Sequence, residues 1–162
     1  MNDTHFPPRP DALHTVTPHI VCSEASAAID FYRRAFGAIE LMRLPGAEGR
    51  ILHAQVRIGD SVVMLVDAQP EWCVCDPNTL GGSPVVLHLQ VEDVDAWYAR
   101  AVTAGAAPLM APEDMFWGDR YARVRDPNGH EWAIATRVRE VPPEELLARA
   151  ATLRPDCNSK EN

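Results

Sequence analysis

The sequence predicts an α+β protein made of two successive modules, each running strand–helix–strand–strand–strand. Three observations lead there. The chain has 162 residues, 46% of them hydrophobic, which suits one ordinary domain with a real core. Stretches of alternating and of helical hydrophobic period follow one another in the same order twice. Fragments of the two halves also align: His19-Ile-Val-Cys-Ser-Glu24 with His88-Leu-Gln-Val-Glu-Asp93, an offset of 69, and Ala54-Gln-Val-Arg57 with Ala122-Arg-Val-Arg125.

A flexible, proline-rich arm is expected over residues 1–14, followed by the first module over 15–68. Its first strand reads as 15–22, with Pro18 marking an edge or a strand start. Ser23-Glu24-Ala25-Ser26 carries helix-start residues. Ala28, Ile29, Tyr32, Ala35 and Phe36 then recur at helical spacing until Gly37 stops the run. Strands follow near 38–44, 50–58 and 61–67, the last two joined by Gly59-Asp60. A two-residue loop that begins with glycine suits a type II′ hairpin. Residues 69–84, with Pro and Gly at both ends, are a linker.

The second module is expected over 85–138: a strand at 85–91, a helix at 93–104 closed by Gly105, and strands near 106–111, 119–126 and 130–136. Asp126-Pro-Asn-Gly-His130 reads as a three-residue hairpin loop, a type I turn ending in a glycine bulge. A short helix over 144–151 and a tail occupy the remainder, residues 139–162.

Fifteen Lys+Arg stand against 23 Asp+Glu, a net charge of −8. That argues against a nucleic-acid surface, whose affinity comes largely from neutralising phosphates. No run approaches the roughly 18 apolar residues of a membrane helix. The N-terminus lacks a basic stretch followed by an apolar one, so no secretory signal is expected and the chain reads as cytoplasmic. Cys22, Cys73, Cys75 and Cys157 are too scattered for a disulfide framework, and Cys73-Val-Cys75 lacks the spacing of a zinc or redox motif. Reduced thiols are expected.

Several segments carry a resemblance. They are Ala27-Ala-Ile-Asp-Phe-Tyr-Arg-Arg-Ala-Phe-Gly-Ala38, Gly49-Arg-Ile-Leu-His-Ala54, Ile58-Gly-Asp-Ser61, Leu80-Gly-Gly82 and Val91-Glu-Asp-Val-Asp95. Arg100-Ala-Val-Thr-Ala-Gly-Ala106, Trp117-Gly-Asp-Arg-Tyr121 and Arg125-Asp-Pro-Asn-Gly-His-Glu-Trp132 follow in order. Over about 15–138 the chain resembles the vicinal oxygen chelate superfamily, the glyoxalase/bleomycin resistance/dioxygenase proteins, and within it the PhnB-like branch. The resemblance implies two βαβββ modules forming a curved mixed sheet around a central cavity. It does not fix an activity, because one fold hosts isomerases, dioxygenases, transferases and drug-sequestering proteins.

Enzymes of this superfamily usually hold a divalent metal on the first and last strand of each module. The corresponding positions here are Thr17, Met64, Val86 and Ala133. A hydroxyl, a thioether and two alkyl groups do not make a hard-cation site, so no metal and no other cofactor is expected. If position 17 faces the hollow, strand alternation turns His19, His88 and Gln90 inward and Ile20, Cys22, Leu87 and Leu89 toward the helices. Across the first hairpin Arg57 should lie opposite Val62, Gln55 opposite Met64, and His53 opposite Val66. Across the second, Arg125 should face Glu131, Arg123 Ala133, and Tyr121 Ala135.

The candidate ligand-binding residues are therefore His19, His53, Gln55, Met64, His88, Gln90, Tyr121 and Arg123, with Trp117 as an aromatic lid that Gly118 would let move. Trp72 is a weaker lid candidate, and Trp97 reads as helix core. His53, His88 and Glu131 are the candidates for any catalysis. The expectation is a small-molecule-binding protein without the usual metal site, acting as a homodimer. The alternative is a lyase, isomerase or dioxygenase-like enzyme in which His19, His53 and His88 hold a divalent metal or act as acids and bases.

Overall fold

The computed structural model describes residues 13–152, so most of the N-terminal arm, Cys157 and the tail from 153 lie outside the described residues. The first module comprises β1 (His19–Cys22), α1 (Ala25–Phe36), β2 (Ile39–Pro45), β3 (Ile51–Ile58) and β4 (Ser61–Asp67). A connection follows with a 3-10 turn at Pro70–Trp72 and a short helix, α2 (Pro77–Leu80). The second module comprises β5 (Val86–Gln90), α3 (Val94–Ala104), β6 (Ala107–Asp114), β7 (Asp119–Arg125) and β8 (Glu131–Arg137), and α4 (Pro143–Ala150) closes the described chain. The class is α+β, with the module repeated as expected.

Each module folds into its own four-stranded mixed sheet, ordered β1-β4-β3-β2 and β5-β8-β7-β6. No hydrogen-bonded strand pair joins the two sheets among the described residues. The predicted registers hold: Gln55 pairs with Met64 and Arg57 with Val62, while Tyr121 pairs with Ala135, Arg123 with Ala133 and Arg125 with Glu131. Gly59 has φ +59 and Asp60 does not share the positive φ, which fits a type II′ turn and excludes type I′. At the other hairpin Gly129 (φ +88) donates to the Asp126 carbonyl, closing the bulged loop.

β1 is shorter than expected. Residues 15–16 bend, Thr17 Oγ1 donates to the His14 carbonyl, and Pro18 has no N–H to offer, so pairing starts at His19. Thr17 thus precedes the strand. The repeat also shows in the helix caps. Asp67, at the end of β4, accepts from the Ala25 N–H, and Thr136, at the corresponding place in β8, accepts from the Val94 N–H. Each module closes the orphan amides at its helix start with its own last strand.

The modules meet through their helices. Phe36 of α1 stacks on Trp97 of α3 (ring centroids 6.2 Å) and lies 4.9 Å from Trp132 of β8. Arg100 Nε donates to the Ala35 carbonyl at 2.6 Å. The fully buried layer runs through Ile20, Cys22, Ile29, Tyr32, Ala54, Val56, Leu65, Val124, Trp132 and Ile134, one continuous core beneath both sheets. Each buried large apolar side chain contributes about 1.5–3 kcal/mol of transfer free energy. Trp97 is only partly buried at the margin of this core, more open than its helical spacing suggested.

Polar contacts reinforce the junction around the 126–130 loop. The buried Asp126 side chain accepts from Tyr32 Oη (2.6 Å), Trp132 Nε1 (2.9 Å), and the Asn128 and His130 amides (2.9 and 3.0 Å). Asn128 Oδ1 accepts from the Ser23 amide and hydroxyl, and His130 Nε2–H donates to the Val21 carbonyl. Asn78, in α2, donates to the Pro127 carbonyl and so ties the linker to the same loop.

Candidate functional site

Because one face of each sheet packs on a helix, the alternate side chains point to an open face. In β3 the helix side is Ala54, Val56 and Ile58, all buried, while His53, Gln55 and Arg57 are half-buried or exposed. In β5, Leu87 and Leu89 pack on the core, and Val86, His88 and Gln90 are exposed. The side assignments made from strand alternation match this burial.

The structure brings the candidates together in two groups, one per module. On the first sheet His19 lies beside Met64 in register, and its ring meets that of His53 edge-on at 5.8 Å. Gln55 Nε2–H donates to His53 Nε2 at 3.2 Å, which requires that nitrogen to be unprotonated. Burial, and secondarily the neighbouring His53, lowers the His19 pKa below its ordinary value. On the second sheet His88 lies over Tyr121 (6.4 Å, nearly parallel), and His88 Nε2–H donates to Gln90 Oε1 at 3.3 Å. Trp117 joins this cluster, edge-on to Tyr121 at 5.7 Å.

Beside Tyr121, Glu131 is shared by Arg123 and Arg125. The Arg125 hydrogen bond holds the Glu131 carboxyl below the usual range; partial burial opposes this, and the Arg123 charge adds to it. The cluster carries one net positive charge on an acidic chain. The repeat maps His19 onto His88 and His53 onto Tyr121, so the two ring pairs are equivalent positions in the two modules. No hydrogen bond, ion pair or ring contact joins the two groups among the described residues. The two groups occupy matching positions, one on each sheet.

Two lid readings change. Gly118 is buried, its carbonyl accepts from the Val138 and Arg139 amides, and a Cβ there would sit 2.4 Å from the Arg139 carbonyl oxygen. The glycine permits close approach of two backbone segments and fixes Trp117 in place; it is not a hinge. Trp72 is exposed in its 3-10 turn and touches neither ring cluster.

Thr17, Met64, Val86 and Ala133 supply no imidazole or carboxylate at the positions where the resemblance implies metal ligands. Among the described residues no three His, Cys, Asp or Glu side chains are gathered so as to hold an ion. His19 and His53 adjoin on one sheet while His88 sits with Tyr121 on the other. Among the described residues these side chains do not form a donor set that fits a divalent metal.

A cavity of about 1050 Å³ lies along the seam between β4 and β5, and the open-face side chains Val86, His88 and Gln90 are among those that line it. Trp97, Asp60 and Glu92 line it, and sequence reasoning did not single them out for binding. Their only local signal was a tryptophan in a helix otherwise rich in small residues.

The model of the Glyoxalase/Bleomycin resistance protein/Dioxygenase superfamily matches residues 12–134. The chain belongs to this superfamily. Its superfamily relatives include the uncharacterized protein Rv0887c of Mycobacterium tuberculosis, 48% identical over 136 residues that cover 82% of this chain and 80% of the relative. YjdN of Escherichia coli is 28% identical over 67% of this chain and 85% of its own. Among solved structures, TioX from Micromonospora is similar with a TM-score of 0.61 and 29% identity, covering 77% of this chain and 99% of the other. A PhnB protein from Bacillus cereus shares the fold at 16% identity and a TM-score of 0.60, over 76% of this chain and 99% of its own. No helix among the described residues is long and apolar enough to cross a membrane.

Proposed function

We propose that this superfamily member is a metal-independent small-molecule-binding protein that lays a planar ligand on the open face of the second sheet. The observation that carries this reading is Tyr121 flanked by Trp117 and His88, with the Arg123–Glu131 pair and Gln90 alongside. An apolar, aromatic surface with a few convergent polar groups is the usual make-up of a ligand site. The absence of suitable donors at Thr17, Met64, Val86 and Ala133 supports binding without a metal. The PhnB-like branch, carried by the sequence motifs, belongs to the same proposal, as does a cytoplasmic location consistent with free Cys22, Cys73 and Cys75.

The proposed working form is a homodimer in which the first sheet of one copy, bearing His19, His53, Gln55 and Met64, covers the second sheet of the other. Strand β2 supports it, because Ile39, Leu41, Met42 and Leu44 all stand exposed along that strand. The test titrates purified protein with a panel of planar aromatic and peptide antibiotics while following Trp fluorescence. Quenching at micromolar ligand is expected, weakened roughly fivefold in Tyr121→Ala and in Trp117→Ala, in line with about 1 kcal/mol per aromatic contact. A stoichiometric divalent ion in protein purified without chelator, or no quenching at high micromolar ligand, would refute the reading.

A further inference from the structure

The seam between the modules offers chemistry that the sheet faces do not. β1 and β5 are the edge strands of their sheets, and the cavity of about 1050 Å³ runs where β4 and β5 approach without pairing. Its size is at the upper end of drug-sized ligand pockets, roughly 300–1,000 Å³. Its walls are largely apolar, with Val63 from the first module, Leu87 and Leu89 from β5, and the partly buried Trp97 from α3, and they also carry His14, His88 and Gln90. Two exposed carboxyl groups stand among the lining residues, Asp60 in the first hairpin turn and Glu92 just after β5. No Lys or Arg lines the cavity among the described residues. Arg100, whose guanidinium lies 4.6 Å over the Trp97 ring, is committed to the Ala35 carbonyl.

We propose that this seam is a binding site for a hydrophobic organic cation. The apolar walls would take up its hydrocarbon surface, and Asp60 and Glu92 would select its charge. One oxygen of Asp60 accepts from Ser61 Oγ, which positions the carboxyl and leaves the other oxygen available. The net charge of −8 adds a general attraction for cations. His88 and Gln90 line this cavity as well as adjoining Tyr121, so the test is carried by Asp60 and Glu92, which belong to the seam alone.

The experiment compares tetraphenylphosphonium with tetraphenylborate, ions of the same shape and opposite charge, by calorimetric titration of the full chain. The cation is expected to bind at least tenfold more tightly than the anion. The double variant Asp60→Asn/Glu92→Gln, two exposed and isosteric changes, should lose most of that discrimination, about severalfold per carboxyl as surface charges do. Ser61→Trp, which fills the seam from an exposed position, should weaken both ions. Four results would each overturn the proposal: no binding of the cation at submillimolar concentration, equal binding of both ions, discrimination that survives in the double variant, or cation affinity that falls as protein concentration rises because a second copy fills the seam.

Discussion

Replacing Asp126 by Asn tests whether the two modules stand as one cooperative unit. In the native protein Oδ2 receives the Tyr32 hydroxyl and the Trp132 indole N–H, while Oδ1 receives the Asn128 and His130 amides. Asparagine keeps one acceptor and places an amide N–H₂ where the other was. If its carbonyl stays with the loop amides, the N–H₂ group faces two donors. The Tyr32 hydroxyl can rotate and accept, but an indole N–H is donor only, so Trp132, which is 1% exposed, is left with a buried unsatisfied group. That orphan costs about 1–3 kcal/mol, and exchanging a carboxyl acceptor for a neutral one weakens the remaining bonds by about a further 1 kcal/mol. The expected loss is about 3 kcal/mol, equivalent to a fall in Tm of roughly 6–12 °C for a chain of this size. Tyr32→Phe alone should cost about 1–1.5 kcal/mol. Because both changes act at one oxygen, the double variant should cost less than the sum. Urea titration read by Trp fluorescence and by far-ultraviolet dichroism measures all three, and one coincident transition is expected for the parent protein. A loss below about 0.5 kcal/mol in Asp126→Asn, or two separate transitions in the parent, would refute the hub as the element that unites the modules.

Two other outcomes follow from particular contacts. Gly129→Ala places a Cβ 2.5 Å from Asn78 Oδ1 at a φ of +88, so a loss of about 2–3 kcal/mol is expected, partly recovered when Asn78 is also made Ala; thermal melts of the two variants measure it. The lowered pKa of His19 means that the unfolded chain takes up its proton first. The associated stability is therefore present above about pH 6.5 and lost as pH falls through the lower folded-state pKa. Denaturation between pH 7.5 and 5 should show a shallower pH slope in His19→Gln than in the parent, and an equal slope would remove His19 from the account.

Much of the fold was legible because it is written locally. Period-two alternation in 53–58 set the faces of that strand, and the two-residue Gly59-Asp60 loop set which residues of 61–67 pair with it and so share its faces. The three-residue loop before His130 did the same for β7 and β8. The extent of β1 was overread because Thr15-Val16-Thr17 has strand composition, whereas the bend, the Thr17 side-chain bond to His14 and the missing Pro18 amide delay pairing. Gly118 was misread as a hinge because a glycine chosen for close backbone contact and one chosen for freedom have the same letter.

The sequence by itself determined the repeat, the strand registers, which side chains leave the core, and the lack of metal donors at Thr17, Met64, Val86 and Ala133. All of these depend on residues adjacent in the chain or on turn length. Tertiary structure alone decided how the modules join: through Phe36, Trp97 and Trp132, and through Asp126 gathering Tyr32 from a helix far away in sequence. It set His19, His53, Gln55 and Met64 on one sheet and His88, Gln90, Tyr121 and Arg123 on the other, and it placed Trp97 in the lining of the seam. Hydrophobic burial is non-directional, so the pattern says which faces must be covered and leaves shape complementarity between distant elements to choose the cover.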